Sequence, residues 1–295
     1  MLEKRTVAQL RDDFDDPAID RLATLLRTRV KRSVSVGEEL ASQIQQWMAT
    51  NPFHVRGRIA DDRLSWDLLV EFDPPPFDEW SIRFGESLHN LRSALDNLVW
   101  GLATLDGTEP QRPKALQFPI VEKAADWQSE SKRISELSAA ARSAIEGVQP
   151  FQRNGQDGNP ENDPLLLLSR LNIVDKHRVL IRPDLNPAEL SHSSSVEFRT
   201  DSEASINTPP NVSLSPDAFV NGTTLLRHVT KTPIVKVVGS YGFKGQVVVQ
   251  DPVGGSVGIT SVLAQFAAYV PQVLDHVLLN VTISRSYGTG SSSRA

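Results

Sequence analysis

A chain of 295 residues with 39% hydrophobic and 23% charged side chains is long enough to bury a full core and has the balance of a globular protein. Its net charge of −5 and pI near 5.7 argue against broad attachment to duplex DNA, which depends on neutralising many phosphates. With no cysteine there is no disulfide framework, thiolate metal site or thiol nucleophile, and a reducing cytoplasm is the simplest setting.

The opening stretch to Asp16 lacks the uninterrupted apolar core of a signal peptide. No run elsewhere reads as long enough to span a bilayer, so the expectation is a cytoplasmic protein with no membrane partner. Ile19, Leu22, Leu25 and Leu26 recur at helical spacing, and Asp15-Asp16-Pro17 should break the opening segment before them. Residues 37–49 read as a separate helix, completing an N-terminal helical unit over 1–50. Two β-rich runs, 54–60 and 64–72, are split by polar residues and fit a hairpin.

Asp73 and three prolines then feed the longest predicted helix, from Phe77 to Leu105. Trp80, Phe84, Leu88, Leu91, Leu95, Leu98 and Leu102 alternate spacings of four and three, which defines one continuous apolar stripe. Beside it, at about 100° per residue, His89, Arg92 and Asp96 share a narrow sector with Gly85 and Ala103, where small residues would admit a close neighbour. Helices are expected near 124–134 and 136–147, followed by a long polar connection from Gln149 to Asn162. Asp163-Pro164 is an N-cap and first-turn pair for a helix that runs through a leucine cluster to Asp175-Lys176-His177-Arg178 and stops at Pro183.

From 188 to 258 the texture changes to short alternating runs with an Asn221-Gly222 turn, read as a β-rich insertion. Gly-containing stretches at 239–242, 242–245 and 254–258 read as hairpin turns, since none carries the lysine and Ser/Thr of a phosphate loop. An apolar helix with Pro271 inside it closes the chain over 259–285, ahead of a Gly/Ser tail at 286–295. The expected architecture is α+β, with a mostly helical core drawn from 51–187 and the final helix, decorated by the early hairpin and the β-rich insertion.

Two charged clusters interrupt apolar helical patterns. One holds His89, Arg92 and Asp96; the other holds Arg170, Asn172, Asp175, Lys176, His177 and Arg178. Ionisable groups beside core leucines are costly unless paired, so each cluster is either a site or a structural network. Arg170 and His177, seven apart, fall within about 20° of one another on a helix and can converge on one anion. The arginine offers a permanent planar fork for phosphate oxygens, and the histidine exchanges a proton near neutral pH.

The run Arg170-Leu-Asn-Ile-Val-Asp-Lys-His177 resembles the catalytic motif of the HEPN superfamily, although the polar residue usual after the arginine is Leu171 here, with Asn172 one place later. The whole chain also resembles a bacterial and phage family carrying His-Asn-Leu-Arg-Ser-Ala-Leu-Asp, a Phe-Pro-Ile segment and Asp-Lys-His-Arg, for which no activity is assigned. The HEPN likeness implies a helical bundle, a homodimer, an RNA partner and a toxin or phage-defence setting. It also implies a ribonuclease in which His177 is the general base and Arg170 stabilises the phosphate, without metal or cofactor. His89, Arg92, Asp96, Asn172, Asp175, Lys176 and Arg178 would support them.

The opposing reading is a non-catalytic interaction protein. Arg92 and Asp96 are then an i,i+4 pair, and bridges such as Asp96 to Arg170 or Arg178, or Arg92 to Asp175, lock helices in register. Lys176, His177 and Arg178 would complement a helix C-terminus. A mixed His/carboxylate metal site from His89, Asp96, Asp175 and His177 lacks any familiar ligand spacing, and Asp275-His276 reads as an ordinary helix-edge pair.

Overall fold

A computed structural model describes residues 16–153, 158–177, 181–214 and 220–289, without the side chains of 176, 177 and 287–289. Helix α1 (Pro17–Ala49) begins where the sequence places the break: the Asp16 carboxylate accepts from the backbone N–H of Ala18 and Ile19, and Pro17 opens the first turn. The expected second helix at 37–49 is not separate. Gly37 lies inside one 33-residue helix, because burial of Val36 and Leu40 outweighs the roughly 1 kcal/mol propensity cost of a helical glycine. Strands β1 (Phe53–Ile59) and β2 (Ser65–Phe72) form the expected hairpin.

Helix α2 (Phe77–Ala103) carries the apolar stripe, and every residue of it from Trp80 to Leu102 is buried. Ser33 of α1 and Ser87 of α2 join hydroxyls at 2.7 Å, satisfying two buried polar groups where the helices meet. The region expected as a helix over 124–134 is instead a short α3 (Trp127–Glu130) flanked by 3-10 turns at Ala124–Asp126 and Ser131–Ile134. Next come α4 (Ala139–Gly147), capped by Ser138, and α5 (Pro164–His177).

Helix α7 (Ile259–Thr289) packs against α1, α2, α4 and α5 and fills the core with Val262, Phe266, Val270, Val273 and Val277. Contrary to the expectation that no run could span a bilayer, Ile259–Ser286 is long and apolar enough by length and composition. Its packing is that of a core helix, with 44% of the most apolar window buried inside the fold.

The fold-class expectation of a mostly helical bundle with decorations is overturned. The chain is α+β, 53% helical and 23% strand, with two antiparallel sheets. After β3 (Asp184–Glu197) come a short helix α6 (Asp201–Ile206), β4 (Asn211–Leu214), β5 (Thr223–Val229), β6 (Lys236–Gln250) and β7 (Ser256–Gly258). The early hairpin joins the later strands in a sheet of order β1-β2-β5-β4, while β3-β6-β7 form the second sheet.

Between the sheets lies a separate apolar cluster of Trp66, Leu68, Leu226 and Ile234, bordered by Val196, Val237 and Tyr241. Asp67 ties the first sheet across 160 residues, accepting from Arg227 at 2.7 and 2.9 Å. Arg58 adds a third bond at 3.1 Å, and these arginines, Arg227 first, hold the buried carboxyl below the usual carboxylate range. The glycines at 239 and 242 are inside β6, not in turns. A side chain at Gly239 would strike the Ser193 carbonyl, so β3 and β6 can approach as they do only with glycine there.

Candidate functional site

Helix α5 is anchored at its start by a sealed polar group. Asp163 Oδ1 accepts from the Leu165 N–H at 2.8 Å, which caps the helix, while Oδ2 accepts from Arg153 Nε at 2.7 Å. The Asp163 side chain is completely buried. Arg153 also donates through Nη2 to the Tyr269 hydroxyl and lies over its ring, 5.4 Å from the centroid. Burial, reinforced by the Asp163 charge, pushes the Tyr269 phenol up to about 12. The Asp163-Pro164 pair signalled the cap; Arg153 and Tyr269 are 116 residues apart and carried no signal.

Arg170, the expected phosphate-binding residue, is engaged elsewhere. Its Nη2 meets Asp251 Oδ2 at 2.8 Å, and both terminal nitrogens donate to the Glu161 carbonyl at 3.4 Å. Asp251 opens the β6–β7 turn and accepts the Val253 N–H at 3.1 Å. Gly254 and Gly255 complete that turn at φ of 120° and 83°, so of the three glycine stretches this one is a turn. Arg170 therefore fastens a sheet connection to a helix, and its partner is not Asp96. The Lys176 and His177 side chains, and Arg178, lie outside the described residues.

The α2 cluster is also architectural. Arg92 donates Nε and Nη2 to Asp96 at 3.2 and 2.8 Å, and Nη2 also reaches the Phe118 carbonyl at 2.7 Å. Asp96 Oδ1 in turn accepts the Phe118 N–H at 2.9 Å. One ion pair thus satisfies both backbone groups of Phe118, much as a neighbouring strand would, and pins the Phe-Pro-Ile segment to α2. His89 is exposed one turn away, 3.4 Å from the Ser93 hydroxyl. Asp175 of α5 sits where a Cβ at Gly85 would be, 2.7 Å from both carboxylate oxygens, so the small residue does admit a close neighbour.

Arg92, Asp96 and Asn172 are nevertheless brought together. They line a cleft of about 320 Å³ between α2 and α5, with Gln117, Ile120, Glu130, Arg133, Ser169 and Ile173. Arg133 is fixed at the rim by Glu130 and Gln117, each at 2.7 Å. Asn172 is only 6% exposed, yet its amide makes no hydrogen bond among the described residues, nor does the Ser169 hydroxyl. The polar atoms of both side chains are open to the cleft and not sealed in the core, so two groups on one cleft wall have capacity for a ligand.

A larger cavity of about 530 Å³ lies where α7 meets the end of α2. Three of its four charged lining groups are engaged: Arg285 binds Asp106 and, beyond the lining, Asp16 at 2.7 and 2.9 Å, and Glu136 accepts the backbone N–H of Gln111 and Arg112. Sequence reasoning found Arg92, Asp96 and Asn172; it missed Ser169, Arg133 and Gln117, which follow no catalytic spacing. Set against protein-family models, curated proteins and solved structures, the chain matches none.

Proposed function

We propose that this chain is a non-catalytic binding protein of the cytoplasm, in which the two charged clusters are structural ion pairs and the cleft between α2 and α5 receives a small polar ligand. The observation that carries the reading is the engagement of Arg170. A guanidinium bound to Asp251 and the Glu161 carbonyl has to break a partly buried, charge-assisted pair before it can serve a phosphate. The Arg92–Asp96 pair supports the same reading, since it organises the Phe118 backbone. Asn172 and Ser169, on the cleft wall, make no hydrogen bond among the described residues and keep their hydrogen-bonding capacity.

The test is incubation of the purified chain with a mixed RNA pool in EDTA, beside His177→Ala and Arg170→Ala. The expected result is no cleavage by any of the three, with Arg170→Ala melting earlier. Cleavage by the wild type that leaves cyclic-phosphate ends and disappears in His177→Ala overturns the reading in favour of a metal-independent ribonuclease.

A further inference from the structure

Resting on the reading of the cleft as a binding site, we infer that its ligand is a neutral, planar heteroaromatic base of the purine or pyrimidine type, recognised by the Asn172 amide. Charge comes first. Arg92 and Arg133 are each matched by a carboxylate, Asp96 and Glu130, at 2.8 and 2.7 Å, so the lining has no net formal charge. A phosphate or carboxylate entering would gain two guanidinium groups and meet two carboxylates already bonded to them. A neutral ligand pays no such penalty.

The hydrogen-bonding capacity is mixed. Asn172 presents a donor and an acceptor side by side in one plane, and Ser169 can act either way. A primary amide reads the edge of a base, where a ring nitrogen or carbonyl adjoins an N–H, through two parallel bonds. Asn172 is 6% exposed and makes no hydrogen bond among the described residues, and its amide atoms are open to the cleft and not sealed in the core, so an edge-on ligand can take the place of water there.

The apolar part of the lining fits a flat ring. Ile173 follows Asn172 on α5 and is half exposed, although α5 otherwise turns its leucines inward. Ile120, from the segment pinned by Arg92 and Asp96, adds a second branched aliphatic surface to the same cleft. Apolar contact for ring faces with polar groups for the edge is the pattern of small-molecule sites, and about 320 Å³ is at the small end of their range.

The experiment is equilibrium dialysis and calorimetric titration of the full chain with adenosine, guanosine, cytidine and uridine. Ribose, inorganic phosphate and a single-stranded oligonucleotide of each base are titrated beside them, at low and high sodium chloride. At least one nucleoside is expected to bind with an affinity that barely changes with salt, as suits a neutral ligand. Asn172→Leu and Ile173→Ala should each weaken it about tenfold. Ile173→Ala, on the surface, keeps the test valid if the buried variant fails to fold.

Oligonucleotide binding stronger than the nucleoside's, with the same sensitivity to both variants, assigns the base to an unpaired nucleotide in a strand. Nucleoside binding alone assigns a free metabolite. Phosphate or ribose binding as tightly as every nucleoside, no nucleoside binding at millimolar concentration, or unchanged affinity in Ile173→Ala overturns the inference. Cleavage of the oligonucleotide, seen on the same samples, is a separate failure, that of the non-catalytic reading.

Discussion

Helix α5 contains two kinds of polar residue within three turns. At its first turn Asp163 is completely buried and fully used, capping the helix, holding Arg153 and lying within reach of the Tyr269 hydroxyl. Two turns on, Asn172 is almost as deeply placed and is bonded to nothing among the described residues. The same helix thus separates polarity that the fold requires from polarity that the fold tolerates.

The sharpest way to break the comparison is at Asp163. Asp163→Ala removes a helix cap and leaves Arg153 without its buried carboxylate, so chemical denaturation should show a loss of about 3–5 kcal/mol. A loss below about 1 kcal/mol would mean that the first turn of α5 is no more anchored than its middle. Next in size is Arg170→Ala, which releases the β6–β7 turn and leaves Asp251 unpaired in a partly buried pair. Denaturant titration should report about 1–3 kcal/mol, with the amides of 251–255 exchanging faster.

A third measurement extends the contrast to the sheets. His228 is buried beside Trp66, its Nε2 has no hydrogen-bond partner among the described residues, and burial holds its pKa below the ordinary histidine value. The unfolded chain therefore takes up a proton more readily than the folded one. This contribution to stability is fully present above pH about 6.5 and falls as pH drops towards the lowered folded value, at no more than about 1.4 kcal/mol per pH unit. His228→Leu should flatten the melting temperature between pH 7 and pH 5. Asp67, whose carboxyl is held down by Arg227 and Arg58, loses its contribution only as pH falls below about 4, so the two effects separate.

The smallest effect sharpens the comparison most. Asn172→Leu replaces an amide that makes no hydrogen bond among the described residues by an apolar group of similar size, so stability should stay within about 1 kcal/mol of wild type. A loss of more than about 2 kcal/mol would show that Asn172 is as architectural as Asp163.

Much of the helical part was legible in the sequence because apolar stripes and caps are written locally, although the lengths of α1 and α3 were not. The α2 stripe, the Asp163-Pro164 start and the role of Gly85 all follow from spacings within one element. What failed was pairing. The β-rich run of β2, buried continuously from Trp66 to Val70, marks a strand but not that its neighbour is β5, and Arg227 has no local mark identifying Asp67 as its partner. Arg92 and Asp96 were correctly paired with each other, while their hold on Phe118 is a backbone interaction that no side-chain pattern announces. The Arg170–His177 spacing was a true statement about a helix face; Asp251, from a turn after β6, decides how Arg170 is used.

The link between β2 and β5 has a consequence for how the chain is made. Asp67 leaves the ribosome 160 residues before Arg227, roughly 8–30 s earlier at ordinary synthesis rates. Through that interval β2 has β1 on one side and an unpaired edge on the other, with Trp66 and Leu68 uncovered. The first sheet can close only once β5 has emerged, whereas α1 and α2 can dock as soon as both have emerged. Nascent chains stalled before residue 223 should thus be the form of this protein most in need of a chaperone.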